Sequence, residues 1–230
     1  MRGPIFDLFD LITGRGDIVT VAISFFSVFV IIFVVFPIHE CAHGFVAKLL
    51  GDDTAERQGR LTLNPLHHID PMGALAMCLC NIGWAKPTPV DLRKCTKVSM
   101  RKANMLVSLA GPVSNILLSL VLIIVEKVII LVAGNSIDMT LYYVILALNY
   151  TATINIYLAV FNLIPVPPFD GYHVLASFLP AKAVYFMEKN GRIIYWIVFF
   201  LIISGVLSIP LGAISNGIYW LLDKITFFLG

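Results

Sequence analysis

Long apolar runs organise this chain, and one polar, proline-rich stretch interrupts them. Positions 18–50 form a run of about 33 residues with helical character, almost wholly aliphatic or aromatic up to Pro37. At 1.5 Å per residue such a helix would reach roughly 50 Å, well beyond the ~30 Å hydrocarbon core of a bilayer. It must tilt, break near Pro37 or protrude. Three further apolar blocks cover about 103–133, 140–164 and 193–229. The last is interrupted at Ser208-Ile209-Pro210 and reads as one pass or two.

Residues 51–102 follow a different pattern. Gly51-Asp52-Asp53-Thr54 leads to Arg57-Gln58-Gly59-Arg60 and Asn64-Pro65, and the apolar piece at 72–82 is too short for a normal span. Gly83-Trp84-Ala85-Lys86-Pro87-Thr88-Pro89-Val90 reads as extended, because residues preceding proline are pushed out of the helical region. The pattern predicts a re-entrant segment with a short strand or hairpin, tolerable in a membrane only where protein or water covers the backbone. Residues 1–17 predict a short amphipathic piece, with Phe6, Leu8, Phe9, Leu11 and Ile12 set against Asp7 and Asp10, that lies in the interface. Residues 165–192 hold a proline-rich turn and a short helix. The fold class expected is an all-α polytopic membrane protein with about four to six transmembrane helices and a re-entrant segment.

Composition supports that picture. Hydrophobic residues make up 59%, charged residues only 13%, and mean hydropathy is +0.90, whereas a soluble domain is about one-quarter charged. Most of the surface must face lipid, and one membrane domain spanning 1–230 is expected, with no sizeable soluble module. The N-terminal apolar run is too long and begins too late for a cleavable signal. A net charge of +2 gives no reason to expect nucleic acid as a partner. The basic residues are grouped, with Arg93, Lys94, Lys97, Arg101 and Lys102 together. The positive-inside rule then places 51–102 and 165–192 on the cytoplasmic side and 134–139 outside. By parity, the C-terminal ends of the first span and of the 140–164 span share one side. Cys41, Cys78, Cys80 and Cys95 fit no structural zinc spacing.

The candidate chemistry begins with His39-Glu40-Cys41-Ala42-His43, an HExxH pattern. On a helix its two imidazoles share one face and can reach one metal, with Glu40 placed to take a proton from a water. Three ionisable groups within five residues of an apolar run are costly, and so point to function. A third ligand would come from Asp70, Glu126 or Asp170, the few acids in apolar surroundings. Asp170 is favoured, since Pro165-Val166-Pro167-Pro168-Phe169-Asp170-Gly171 is an extended turn that parity places on the histidines' side. Asp170 can also cap a helix starting near Tyr172, and Glu126 reads as a local ion pair with Lys127. Weaker candidates are Asn115, for an oxyanion contact or interhelical bonding, and His68 with Asp70, for supporting the site or ordering the re-entrant segment. Trp84 and Lys86 belong to an extended stretch that could pair with a substrate strand or simply anchor at the interface.

With these motifs in hand, the chain resembles the site-2 protease family of intramembrane zinc metalloproteases. The resemblance rests on HECAH, on the PPxDG turn over a hundred residues later, and on Arg57 to Pro71, Gly83-Trp84-Ala85-Lys86-Pro87 and Ser108-Leu109-Ala110-Gly111-Pro112-Val113-Ser114-Asn115, in the family's order. It covers about 39–171 and is closest to the compact bacterial branch without PDZ or CBS domains. It implies one zinc ion held by His39, His43 and Asp170, with Glu40 as general base. A catalytic core at 18–171 and C-terminal helices at 172–230 would follow. It further implies a multi-pass protein of the bacterial cytoplasmic membrane, its active site toward the cytoplasm. Its partners would be the lipid bilayer and single-span membrane substrates such as membrane-anchored regulators. Phe169 departs from the family's usual Leu, and the block from 193 onward matches only as hydrophobic sequence. A metal transporter using the same ligands, or an inactive scaffold, is the competing reading. Neither needs Glu40 beside His39 or an extended peptide-binding stretch.

Overall fold

A computed structural model describes residues 4–80, 83–134 and 136–227. Positions 81–82, where the short apolar piece ends, and 135, in the expected external loop, lie outside the described residues. Contacts divide the chain into two compact units, 1–111 and 112–230.

The first unit opens with α1 (Pro4–Ile12), the expected amphipathic piece. Asp17 then caps α2 (Ile18–Val30), its carboxylate accepting the Thr20 N–H at 2.9 Å. A π turn (Ile31–Val35) joins α2 to α3 (Phe36–Leu50), so the helix runs unbroken for 33 residues. The chain thus widens ahead of Pro37 rather than breaking there. Proline lacks an N–H and its ring crowds the carbonyl four residues back, and a wider turn relieves both.

Gly51, at φ +116°, ends α3 in the left-handed conformation that favours glycine. The fully buried Asp52 then gathers the following loops, accepting the backbone N–H groups of Thr54 at 3.0 Å and Asp91 at 2.6 Å. Lys97 donates to the Leu49 carbonyl at 2.7 Å, so a basic group sits at the negative end of α3. Two short helices follow, α4 (Thr54–Arg57) and α5 (Pro71–Cys80), and Asp70 accepts the Gly73 N–H at 2.8 Å at the start of α5. Met77 of α5 packs with Val28 and Ile32 in a small apolar core.

The expected strand or hairpin shrinks, among the described residues, to one isolated antiparallel bridge, Ile69 with Ala85. The chain beside it is extended, and Lys86 N–H donates to the His68 carbonyl at 2.8 Å. Pro87 and Pro89 remove the donors that would continue a ladder, so pairing stops where it starts.

Helix α6 (Met100–Ala133) carries Pro112 inside it and supplies residues to both units. In the second unit it is followed by α7 (Met139–Asn162), α8 (Asp170–Ala176), α9 (Ala181–Lys189), α10 (Gly191–Ile203) and α11 (Ser208–Ile225). Ile123, Ala152, Ile156, Val160, Leu211 and Leu222 form that unit's core. The outward face of α6 is a stripe of Val113, Leu117, Val121, Val125 and Val128, spaced three or four apart and exposed, as a lipid-facing helix requires. Helices α10 and α11 meet at a 76° bend, at the interruption the sequence marks around Ser208.

Among the described residues three helices are long and apolar enough to cross a membrane: Ile18–Leu50, Met100–Ala133 and Met139–Asn162. The bent α10–α11 pair makes four if it is a single crossing. The count of three or four meets the expected range of about four to six only at its lower end, and the chain is a multi-pass membrane protein.

Candidate metal centre

Helix α3 presents the imidazoles of His39 and His43 from consecutive turns, both buried, with their Nε2 atoms 3.1 Å apart. His43 Nδ1 stands 2.7 Å from the Val107 carbonyl oxygen. A carbonyl only accepts, so His43 carries its proton on Nδ1 and keeps the Nε2 lone pair for a ligand. Two nitrogens bound to one tetrahedral zinc at 2.0–2.1 Å lie roughly 3.3 Å apart, close to the observed pair. Room in front of them is secured by Gly111. A Cβ there would stand 2.5 Å from His39 Cε1, His39 Nε2 and His43 Nε2. Donor type, tautomer, separation and open space all fit a zinc ion.

Glu40 is held differently. Its Oε2 accepts the backbone N–H of Thr88 at 2.7 Å, and the Thr88 hydroxyl donates to the Glu40 carbonyl at 3.0 Å. Thr88 is thereby tied to both the side chain and the backbone of Glu40. The approach is close because residue 44 is glycine, where a Cβ would sit 3.1 Å from Thr88 Cγ2. Neither Thr88 nor Gly111 is singled out by the sequence patterns, although both left a trace. Between Pro87 and Pro89, Thr88 owns the only N–H, and Gly111 stands in the Gly-Pro step of α6.

The supporting candidates have structural roles of their own. His68 is fully buried, and its Nε2 stands 2.8 Å from the Thr62 carbonyl. Buried Arg60 donates to the Lys86 carbonyl at 2.6 Å, so Lys86 is held at both backbone groups. Trp84 is half exposed, and its carbonyl occupies the space a Cβ on Gly73 would need. These residues order the extended segment that delivers Thr88. Burial holds the His68 imidazole below its usual range; its bond to Thr62 pulls upward and the Arg60 charge pushes further down. The folded state therefore takes up this proton at lower pH than the unfolded state does. The resulting stability is present above about pH 6.5 and is lost as pH falls from there towards the depressed folded value. Melting temperature is expected to drop on acidification, and His68→Phe should flatten that slope. An unchanged slope in the variant would assign it to other groups.

In the second unit, Asn115 is fully buried one turn past Pro112, and among the described residues neither polar atom of its carboxamide has a hydrogen-bond partner. It makes no interhelical hydrogen bond there, and its donor and acceptor are open to a ligand. Asp170 is the first residue of α8, with Phe169 in the cap position, so the helix begins two residues earlier than Tyr172. A Cβ on Gly171 would collide with the Leu163 carbonyl, which is why glycine follows Asp170. Phe169 packs edge-on against Phe161, with ring centroids 4.8 Å apart. The ion pair expected between Glu126 and Lys127 is not formed. Adjacent residues on a helix do not face each other, and Lys127 pairs with Asp223 at 2.9 Å while Glu126 accepts from Asn149.

With this geometry in place, comparison with known proteins is informative. The family model described as peptidase family M50 matches residues 26–205. The chain is 37% identical over 172 residues to the protein named "Putative zinc metalloprotease YwhC" of Bacillus subtilis, covering 71% of this chain and 75% of that one. It is 27% identical over 189 residues to "Putative zinc metalloprotease Rip2" of Mycolicibacterium smegmatis, covering 81% and 69%. The protein of the same name from Mycobacterium tuberculosis is 28% identical over 192 residues, covering 81% and 69%. No solved structure gives a significant match.

Proposed function

Because the chain belongs to peptidase family M50 and is a zinc metalloprotease, we propose that it hydrolyses peptide bonds within or beside transmembrane segments of other membrane proteins. The observation that carries this reading is the paired Nε2 atoms of His39 and His43 in the space kept by Gly111, with Glu40 on the next position fixed by Thr88. We assign His39, His43 and Asp170 as the three protein ligands, a set of the type and number that catalytic zinc takes. A zinc ion held there would acidify a water and polarise the scissile carbonyl. Glu40 is assigned to accept a proton from the attacking water on a carboxylate oxygen and to return it to the leaving amine nitrogen. Asn115, with its open carboxamide, is assigned to the developing oxyanion or to the substrate backbone.

A transmembrane helix hides its carbonyls in its own hydrogen bonds, so a substrate must unwind locally before it is cut. Residues 84–90, extended but with few free N–H groups, are assigned to line the path of the unwound strand and to meet it through carbonyl oxygens and side chains, with α5 as the re-entrant element beside them. The clustered lysines and arginines support an orientation with this face toward the cytoplasm, and the membrane proposed is a bacterial cytoplasmic one. The substrates proposed are single-span proteins such as membrane-anchored regulators.

Metal content tests the assignment. Purified protein is expected to carry about one zinc per chain, and His39→Ala and Asp170→Ala should each bring it to less than half. Full zinc in both variants by elemental analysis would defeat the ligand set.

A further inference from the structure

The polar residues of the second unit gather on facing helices. Asn149, Thr153 and Ile156 follow one face of α7, at i, i+4 and i+7, and Ser215, Asn216 and Tyr219 stand on α11. Together they line a cavity of about 230 Å³. The side-chain hydrogens of Asn149 and Thr153 in its wall are engaged elsewhere. Asn149 Nδ2 approaches the Tyr219 hydroxyl at 2.6 Å and the two carboxylate oxygens of Glu126 at 3.2 and 3.4 Å. Asn149 can then offer the cavity only its carbonyl oxygen. The Thr153 hydroxyl donates to the Asn149 carbonyl at 2.9 Å, which leaves its lone pairs for the cavity. Ser215 is only 5% exposed, and among the described residues its Oγ has no hydrogen-bond partner, which leaves its lone pairs for the cavity.

The charges point the same way. Glu126 lies one hydrogen bond behind the wall, in a helix long and apolar enough to span the membrane. Lys127 does not answer it, because its ammonium is held by the Asp223 carboxylate and the Asp223 carbonyl, each at 2.9 Å. Glu126, Lys127 and Asp223 together carry one net negative charge. Intramembrane charge of that kind is rare without a partner or a function.

We propose that this cavity binds a small monovalent cation, an alkali ion or a primary ammonium, through the oxygens of Asn149, Thr153, Ser215 and Tyr219, with Glu126 balancing its charge. One net negative charge suits a monovalent ion, since a divalent one draws on several carboxylates. At roughly 30 Å³ per water, the cavity has space for part of a hydration shell. The site is separate from the zinc ligands and does not depend on the reaction proposed for them.

The test uses the full chain in nanodiscs. Its melting temperature is measured in chlorides of sodium, potassium, methylammonium or choline at one ionic strength. At least one of the first three is expected to raise it saturably over choline, by about 3–6 °C at ten times the half-saturating concentration. A response to sodium or potassium alone identifies an alkali ion, and one to methylammonium alone an ammonium group. Glu126→Gln and Ser215→Ala should each abolish the difference while zinc content is unchanged. Should Glu126→Gln fail to fold, Asn149→Asp, which puts a carboxylate in the wall, should lower the half-saturating concentration. Equal melting in all four salts, or a difference that survives Glu126→Gln or Ser215→Ala, overturns the proposal.

Discussion

Replacing Glu40 with glutamine is expected to cut cleavage of a single-span substrate by about 10²–10⁴-fold, the usual contribution of a positioned proton acceptor, while zinc stays near one per chain. The side chain keeps its size and can still accept the Thr88 N–H through its amide oxygen. It cannot take a proton from water. Glu40 neighbours His39 in sequence and its Oε2 is anchored to Thr88, and it is not in the proposed ligand set, so metal content should not follow activity. Elemental analysis and a cleavage assay on the same preparation separate the two. Parental activity in Glu40→Gln would remove the mechanism, and joint loss of zinc and activity would make Glu40 a structural or ligating residue.

The second large effect is expected at a residue with no side chain. Gly111→Ala would place a methyl group 2.5 Å from both histidine rings, at the position of their metal-binding edges. The rings have little freedom to yield, since both are buried and His43 is bound to Val107. Overpacking of this kind costs about 1–3 kcal/mol, which corresponds to roughly 5- to 150-fold in zinc affinity, with activity falling alongside. Gly212→Ala is the control, because a Cβ there meets nothing within 4 Å. Zinc affinity of Gly111→Ala equal to that of Gly212→Ala would show that the metal does not use this space.

The apolar runs were legible because their periodicity depends on local sequence, and so were His39, Glu40 and His43, whose geometry follows from helical spacing alone. Other features were not, for three reasons. The strand expected beside Trp84 fails because pairing needs donors that Pro87 and Pro89 lack, although the same prolines made the extended shape readable. Glu126 was assigned to the neighbouring Lys127 because sequence adjacency hides the turn of the helix. Its contact with Asn149 depends on the packing of α6 against α7. The roles of Val107, Thr88 and Gly111 rest on contacts 48 to 72 residues away along the chain, and no local pattern encodes these.

Thr88 sits at the mechanical junction of the site. One residue grips both the carboxylate and the backbone of Glu40, and it belongs to the stretch assigned to receive the peptide. A strand laid beside 84–90 would therefore lie against the residue that aims the base. The segment proposed to meet the peptide and the support of the proton acceptor are one piece of chain.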